Sequence, residues 1–115
     1  MVQISASLLA ADYARLGEEV RRAESAGVDS FHFDMMDGHY MPNLALAPDH
    51  LTALRPYTTL PFCAHLELSN PDEVLSLFNP FPAYMIIVQW NTLANPLATF
   101  ERIHSRNAKD RKSVV

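Results

Sequence analysis

At 115 residues the chain has room for one small domain. Hydrophobic residues make up 49% and charged residues 19%, a balance that suits a globular core and excludes intrinsic disorder. Nine Lys+Arg against thirteen Asp+Glu give a net charge of −4. No strongly basic stretch precedes the tail, so no nucleic-acid partner is expected.

Apolar runs such as Tyr84-Met85-Ile86-Ile87-Val88 are too short to span a bilayer, so no membrane partner is expected. The first residues lack the charged-then-apolar pattern of a signal peptide. The one cysteine, Cys63, offers no internal disulfide, which points to a reducing cytoplasm.

In chain order, residues 4–9 form the first apolar run, followed by Asp12 as a candidate helix N-cap. Leu16, Val20 and Ala23 then recur at helical spacing, and Gly27 stands where that helix would stop. Residues 30–35 are a second strand candidate. A loop with Asp37-Gly38 and Pro42-Asn43 leads to Pro48, which opens a helix carrying Leu51 and Leu54.

Residues 61–68 are a third strand candidate. Asn70-Pro71-Asp72-Glu73 reads as a cap, a first-turn proline and two acids suited to the helix dipole, ahead of Val74, Leu75 and Phe78. Residues 84–89 are a fourth strand candidate, and Asn95-Pro96 repeats the cap-and-proline device before Leu97, Phe100 and Ile103. The basic cluster Arg106, Lys109, Arg111 and Lys112 reads as a solvated connection, and residues 111–115 as the start of a fifth strand.

The strand starts fall about 27 residues apart, close to one βα unit with short loops. Strict β-then-α alternation implies a parallel sheet with crossover helices. Either a doubly wound open sheet or a (β/α) barrel satisfies that pattern. No glycine-rich phosphate fingerprint follows the first strand, where Leu9-Ala10-Ala11-Asp12 stands, which disfavours nucleotide binding. A complete eight-unit barrel at this repeat needs roughly twice this length. The expected fold class is therefore α/β, the N-terminal half (about four βα units) of a TIM (β/α)8 barrel, with residues 1–115 forming one partial, truncated barrel domain.

Four of the five histidines, His32, His39, His50 and His65, fall within a stretch rich in Asp and Met. His32 and Asp34 are two apart on a predicted strand, so their side chains leave the same face. His65 lies on the next strand. Two imidazoles and a carboxylate on neighbouring strands suit one divalent metal ion with open positions for substrate. They also suit a hydrogen-bonded core, with Asp34 capping a loop. Asp37 and His39 read as loop-forming, because Asp-Gly is a common turn pair.

Three segments carry a family resemblance. They are Ile4-Ser5-Ala6-Ser7-Leu8-Leu9-Ala10-Ala11-Asp12, Phe31-His32-Phe33-Asp34-Met35-Met36-Asp37-Gly38-His39-Tyr40-Met41-Pro42-Asn43, and His65-Leu66 with Asn70-Pro71. Together they resemble the ribulose-phosphate 3-epimerases, and the related allulose-6-phosphate 3-epimerases share much of the pattern. The resemblance runs from the first strand to about Glu101 and covers the N-terminal half of a family member. It implies a (β/α)8 barrel that interconverts D-ribulose 5-phosphate and D-xylulose 5-phosphate through a metal-stabilised enediolate. It further implies His32, Asp34 and His65 as metal ligands and Asp34 as an acid/base carboxylate. Ser7 and His65 match substrate contacts, and Met36 matches a methionine lining the reaction centre. The metal is Zn²⁺, Fe²⁺, Mn²⁺ or Co²⁺, which this donor set does not separate.

The chain also departs from the family pattern. The second acid/base Asp and the phosphate-binding loops belong to later strands, so the chain alone is expected to be inactive. Glu67 stands where the family usually has methionine, sharing a face with His65. As an anion beside developing negative charge it is expected to repel the enediolate; an extra metal ligand is the other possibility. Gln89 stands where histidine is common, and Pro82-Ala83-Tyr84 replaces the usual Gly-Ala-Asp, with Pro80 and Pro82 stiffening that turn. Two open sheet edges imply a homo-oligomer, aggregation, or dependence on a missing C-terminal half. The partner expected at the site is a small-molecule sugar phosphate of five or six carbons. A non-catalytic half-barrel module and a metal hydrolase are the competing functions.

Overall fold

Five short strands alternate with helices in the computed structural model, which describes residues 1–78, 83, 85–106 and 108–113. The strands are β1 (Ser5–Ser7), β2 (Ser30–Met36), β3 (Phe62–Glu67), β4 (Met85–Gln89) and β5 (Lys109–Ser113). The helices are α1 (Leu16–Ser25), α2 (Pro48–Leu54), α3 (Pro71–Leu75) and α4 (Pro96–His104). Every neighbouring strand pair is parallel, in the order β1-β2-β3-β4-β5.

That order decides between the two architectures. A doubly wound sheet reverses direction at a switch point, so its strands cannot lie in chain order. Here they do, and right-handed crossovers then carry each helix to the same side. The result is an α/β fold consistent with part of a TIM barrel.

Burial alternates along the strands accordingly. Phe31, Phe33 and Met35 of β2, Phe62, Ala64 and Leu66 of β3, and Ile86 and Val88 of β4 are buried on one face. The register aligns them: Phe31 pairs with Phe62, Phe33 with Ala64, and Ala64 with Ile86. Leu16 and Val20 of α1, Leu51 and Leu54 of α2, Leu75 of α3 and Ile103 of α4 join the same core. The Arg55 guanidinium lies 3.8 Å from the Phe62 ring centroid and donates to the carbonyls of Thr58 and Leu60, both at 2.7 Å. This ties the entry of β3 to the end of α2. The opposite face of the sheet carries His32, Asp34, Met36, His65, Glu67 and Gln89.

Several element boundaries differ from the sequence expectation. Asp12 caps a 3-10 turn, Tyr13–Arg15, by accepting from the Ala14 amide at 3.0 Å, and α1 proper begins after it. Gly27 terminates α1 with φ of 98°, as its position predicts. Asn95 caps α4 through the Ala98 amide, whereas the Asn70 side chain makes no such bond at α3. The Asp72 carboxylate instead accepts from Thr99 Oγ1 at 2.7 Å and faces Arg102, tying α3 to α4. α3 closes at Leu75, so Phe78 packs in the core from beyond the helix.

β5 begins at Lys109, so most of the expected basic connection is strand. The Arg106 guanidinium donates to the Phe78 carbonyl at 2.9 Å. The expectations for Pro80, Pro82 and Tyr84, and for residues 114–115, lie outside the described residues. Among the described residues no helix is long and apolar enough to cross a membrane.

Candidate metal and acid-base site

The helix-free face of the sheet collects its polar groups near the C-terminal ends of β2, β3 and β4. Parallel α/β sheets present their reactive groups at that end. Pairing sets Asp34 beside His65, Ser7 beside His32, and Met36 beside Glu67. Period-2 geometry on each strand then puts His32, Asp34 and Met36 in one row and His65 and Glu67 in the next.

Three ligand-type atoms converge. His32 Nε2 lies 3.1 Å from Asp34 Oδ1 and 3.3 Å from His65 Nδ1, and His65 Nδ1 lies 3.4 Å from Asp34 Oδ1. Ligands about 2.0–2.2 Å from a common ion stand about 2.8–3.6 Å apart when four- or six-coordinate. The triangle therefore fits a divalent cation, and the set of two imidazoles and a carboxylate could hold one. The donor types suit several first-row ions.

The groups behind the triangle orient it. Ser7 Oγ donates to Asp34 Oδ2 at 2.8 Å, which leaves Oδ1 turned to the two histidines. Gln89, buried at the end of β4, accepts from His65 Nε2 through Oε1 at 2.7 Å. Its Nε2 donates to the Tyr40 hydroxyl at 3.0 Å, and that hydroxyl donates to Asn91 Oδ1 at 3.4 Å. The amide thus fixes the proton on His65 Nε2 and turns Nδ1 toward the triangle. Glu67 Oε1 approaches the same Nδ1 at 3.4 Å.

Charge follows this geometry. Burial raises the Asp34 carboxyl, but hydrogen bonds with His32, His65, Glu67 and Ser7 outweigh it and hold Asp34 well below the usual carboxylate range. Burial likewise lowers His65, yet bonds to Asp34 and Gln89 and the charges of Glu67 and Asp34 raise it overall. Glu67 is pushed up by burial and by the hydrogen bond and charge of Asp34, against the pull of His65 and His32.

Asp37 is a loop anchor. Its Oδ1 accepts from the His39 and Tyr40 amides at 2.9 and 3.0 Å, and its Oδ2 from the Ser69 amide and hydroxyl, each at 2.9 Å. Slight burial opposes, but these donors hold Asp37 below the ordinary carboxylate range. The loops after β2 and β3 are thereby joined, and Tyr40 is delivered to Gln89.

Of the residues expected at the site, the structure brings together His32, Asp34, His65 and Ser7, with Met36 half-buried on the same row. The remaining histidines are elsewhere. His39 is exposed, His50 Nδ1 accepts from the Ala47 amide at 2.9 Å at the start of α2, and His104 Nε2 lies 2.8 Å from Asp110. Sequence reasoning noted Gln89 only as a departure from the family, and Tyr40 only within its motif. The signal for Gln89 was a polar residue closing an apolar strand, on the same alternation as the site.

Fold and site define an α/β barrel-type protein with a His–Asp–His group at its strand mouth that could hold a metal ion. A model of the ribulose-phosphate 3 epimerase family matches residues 3–114. The chain is 34% identical over 109 residues to a ribulose-phosphate 3-epimerase of Bacillus subtilis (strain 168), covering 95% of this chain and 50% of that protein. A ribulose-phosphate 3-epimerase of Methanocaldococcus jannaschii is 37% identical over 109 residues, 95% of this chain and 46% of its own length. That of Escherichia coli (strain K12) is 46% identical over 76 residues, 65% of this chain and 34% of its own. The chain belongs to the ribulose-phosphate 3-epimerase family. It spans about half the length of the first two relatives.

Proposed function

We propose that these residues form the cation-holding and proton-abstracting part of a metal-dependent sugar-phosphate 3-epimerase. The reaction interconverts D-ribulose 5-phosphate and D-xylulose 5-phosphate, and the residues occupy one partial barrel domain. The observation that carries this reading is the 3.1–3.4 Å triangle of His32, Asp34 and His65 at the strand mouth of a family member.

A divalent cation bound there supplies a Lewis acid that favours negative charge on the substrate's ketone oxygen. His32 and His65 hold the ion, and Asp34 is both ligand and base. Asp34 takes the proton from the carbon next to the ketone, in the anionic form its neighbours favour. Ser7 keeps that carboxylate aligned from behind, and Ser7 and His65 also contact substrate. Met36 walls the reacting carbon with a soft apolar surface. A carboxylate with this many hydrogen-bond donors is a weak base, so abstraction depends on the acidified substrate.

Inversion needs proton removal on one face of a planar intermediate and delivery on the other. Asp34 and Glu67 stand on the same side of the sheet, so neither serves the opposite face. By itself the chain is therefore expected to be inactive as an epimerase: it exchanges the proton without inverting the carbon. A further copy or a complementary half barrel would supply the opposing wall. The test is deuterium incorporation at carbon 3 of D-ribulose 5-phosphate, followed by NMR in heavy water with the metal-loaded chain. Exchange that disappears in Asp34→Asn is the expected result. No exchange with the loaded wild-type chain overturns the reading.

A further inference from the structure

The carboxyl of Glu67 is not part of the three-atom group, yet it stands beside the His65 corner of it. Its Oε1 lies 3.4 Å from His65 Nδ1, and its side chain is within electrostatic reach of both Asp34 and His32. The other three separations in the cluster are 3.1, 3.3 and 3.4 Å. Around an ion with bonds of about 2.0–2.2 Å, a tetrahedron has edges of about 3.3–3.6 Å. The distance from Glu67 to His65 is such an edge.

We propose that Glu67 is a fourth protein ligand of the divalent cation, so that β2 and β3 alone build a four-ligand His32–Asp34–His65–Glu67 site. This rests on the metal reading of the triangle given above. The strand geometry makes it natural. Glu67 follows His65 by two residues, so both side chains leave β3 on one face, and Met36 is the residue opposite Glu67 on β2. A glutamate stem is long enough to bring its oxygen back to the level of Asp34.

Electrostatics agrees with the placement. Asp34 and Glu67, with side chains only 12% and 13% exposed, are two acidic groups within electrostatic reach of one another in a poorly hydrated place. A dication between them turns that repulsion into attraction, and two anions with two neutral imidazoles leave the site with no net charge. Glu67 then spends its charge on the ion and does not face the substrate as a free anion. This replaces the expectation that it repels the enediolate.

The test is titration of the metal-free chain with Zn²⁺ against a competing chelator, and with Co²⁺ followed by visible absorption. Wild type is compared with Glu67→Gln, which keeps the shape, and with Glu67→Met, which keeps the volume without oxygen. Circular dichroism establishes that each metal-free variant is folded. The expected result is loss of affinity of at least about tenfold in both variants. The Co²⁺ spectrum should also change, from the intense bands of a four-ligand site to weaker ones as water replaces the carboxylate. Wild-type binding with unchanged affinity and spectrum in both variants overturns the proposal but leaves the triangle standing. No binding by wild type overturns both.

Discussion

His65 Nε2 donates to Gln89 Oε1 at 2.7 Å across the boundary between β3 and β4. Because an amide oxygen only accepts, this bond decides which imidazole nitrogen carries the proton and which faces His32 and Asp34. The Tyr40 hydroxyl, accepting from the other end of the amide, keeps Gln89 from turning over. Replacing Gln89 by leucine removes the lock. Divalent-cation affinity should fall about 10–100-fold, measured by chelator competition. Unchanged affinity would mean that His65 is oriented by its strand alone.

The triangle predicts a stoichiometry. Purified wild-type chain should carry close to one equivalent of a first-row divalent ion, measured by plasma mass spectrometry. His32→Ala and His65→Ala should each lose most of it, since either removes one corner of the triangle. Full retention of metal by His32→Ala would mean that His32 is not a ligand.

Protons compete with the metal. His65 is raised above its ordinary value of 6.5, so protonation of Nδ1 competes with cation binding to higher pH than it would on a free imidazole. Apparent Zn²⁺ affinity should rise by about tenfold per pH unit while that one proton is displaced, then level off. The metal-free protein has the opposite trend. A raised His65 stabilises the fold fully below its unfolded value and loses that contribution as pH climbs through the folded one. Glu67, also raised, acts in the same sense from 4.5 upward. Thermal melts in chelator should therefore show falling stability as pH climbs above the mid-acid range. Below it Asp34, held low, works the other way: its contribution is present above 3.8 and lost as pH drops through its depressed value.

Asp37 should matter to stability without touching the metal. Asp37→Ala strips acceptors from two amides after β2 and from Ser69 after β3. Much of this loop is solvated, so the cost should be about 1–2 kcal/mol in chemical denaturation. Asp37→Asn should recover part of it, because an amide oxygen still serves one set of donors.

Phe33 tests the other face of the same strand. It is fully buried, with its ring centroid 4.8 Å from that of Phe62. Phe33→Ala should cost about 3–5 kcal/mol, read by denaturant unfolding. In so small a domain that can abolish the fold. A loss below 1 kcal/mol would mean that this face is not the core.

The sequence by itself determined the alternation of strands and helices, the prolines that open three of the four helices, and the pairing of His32 with Asp34. Each of these is a local property. A period of two fixes which side chains share a face, and a proline needs no amide partner at a helix start. Tertiary structure alone decided the rest. Strand order, which separates a barrel arc from a doubly wound sheet, is set by where crossovers land. Asn70 carries a cap's sequence but not its bond, and Phe78 sits in the core beyond its expected helix, because packing between α3 and α4 governs that corner. The partners of the site's groups were equally hidden: Ser7 on Asp34, and Gln89 and Tyr40 behind His65. They come from separate strands and loops, and only the register of β1 through β4 brings their polar atoms within reach.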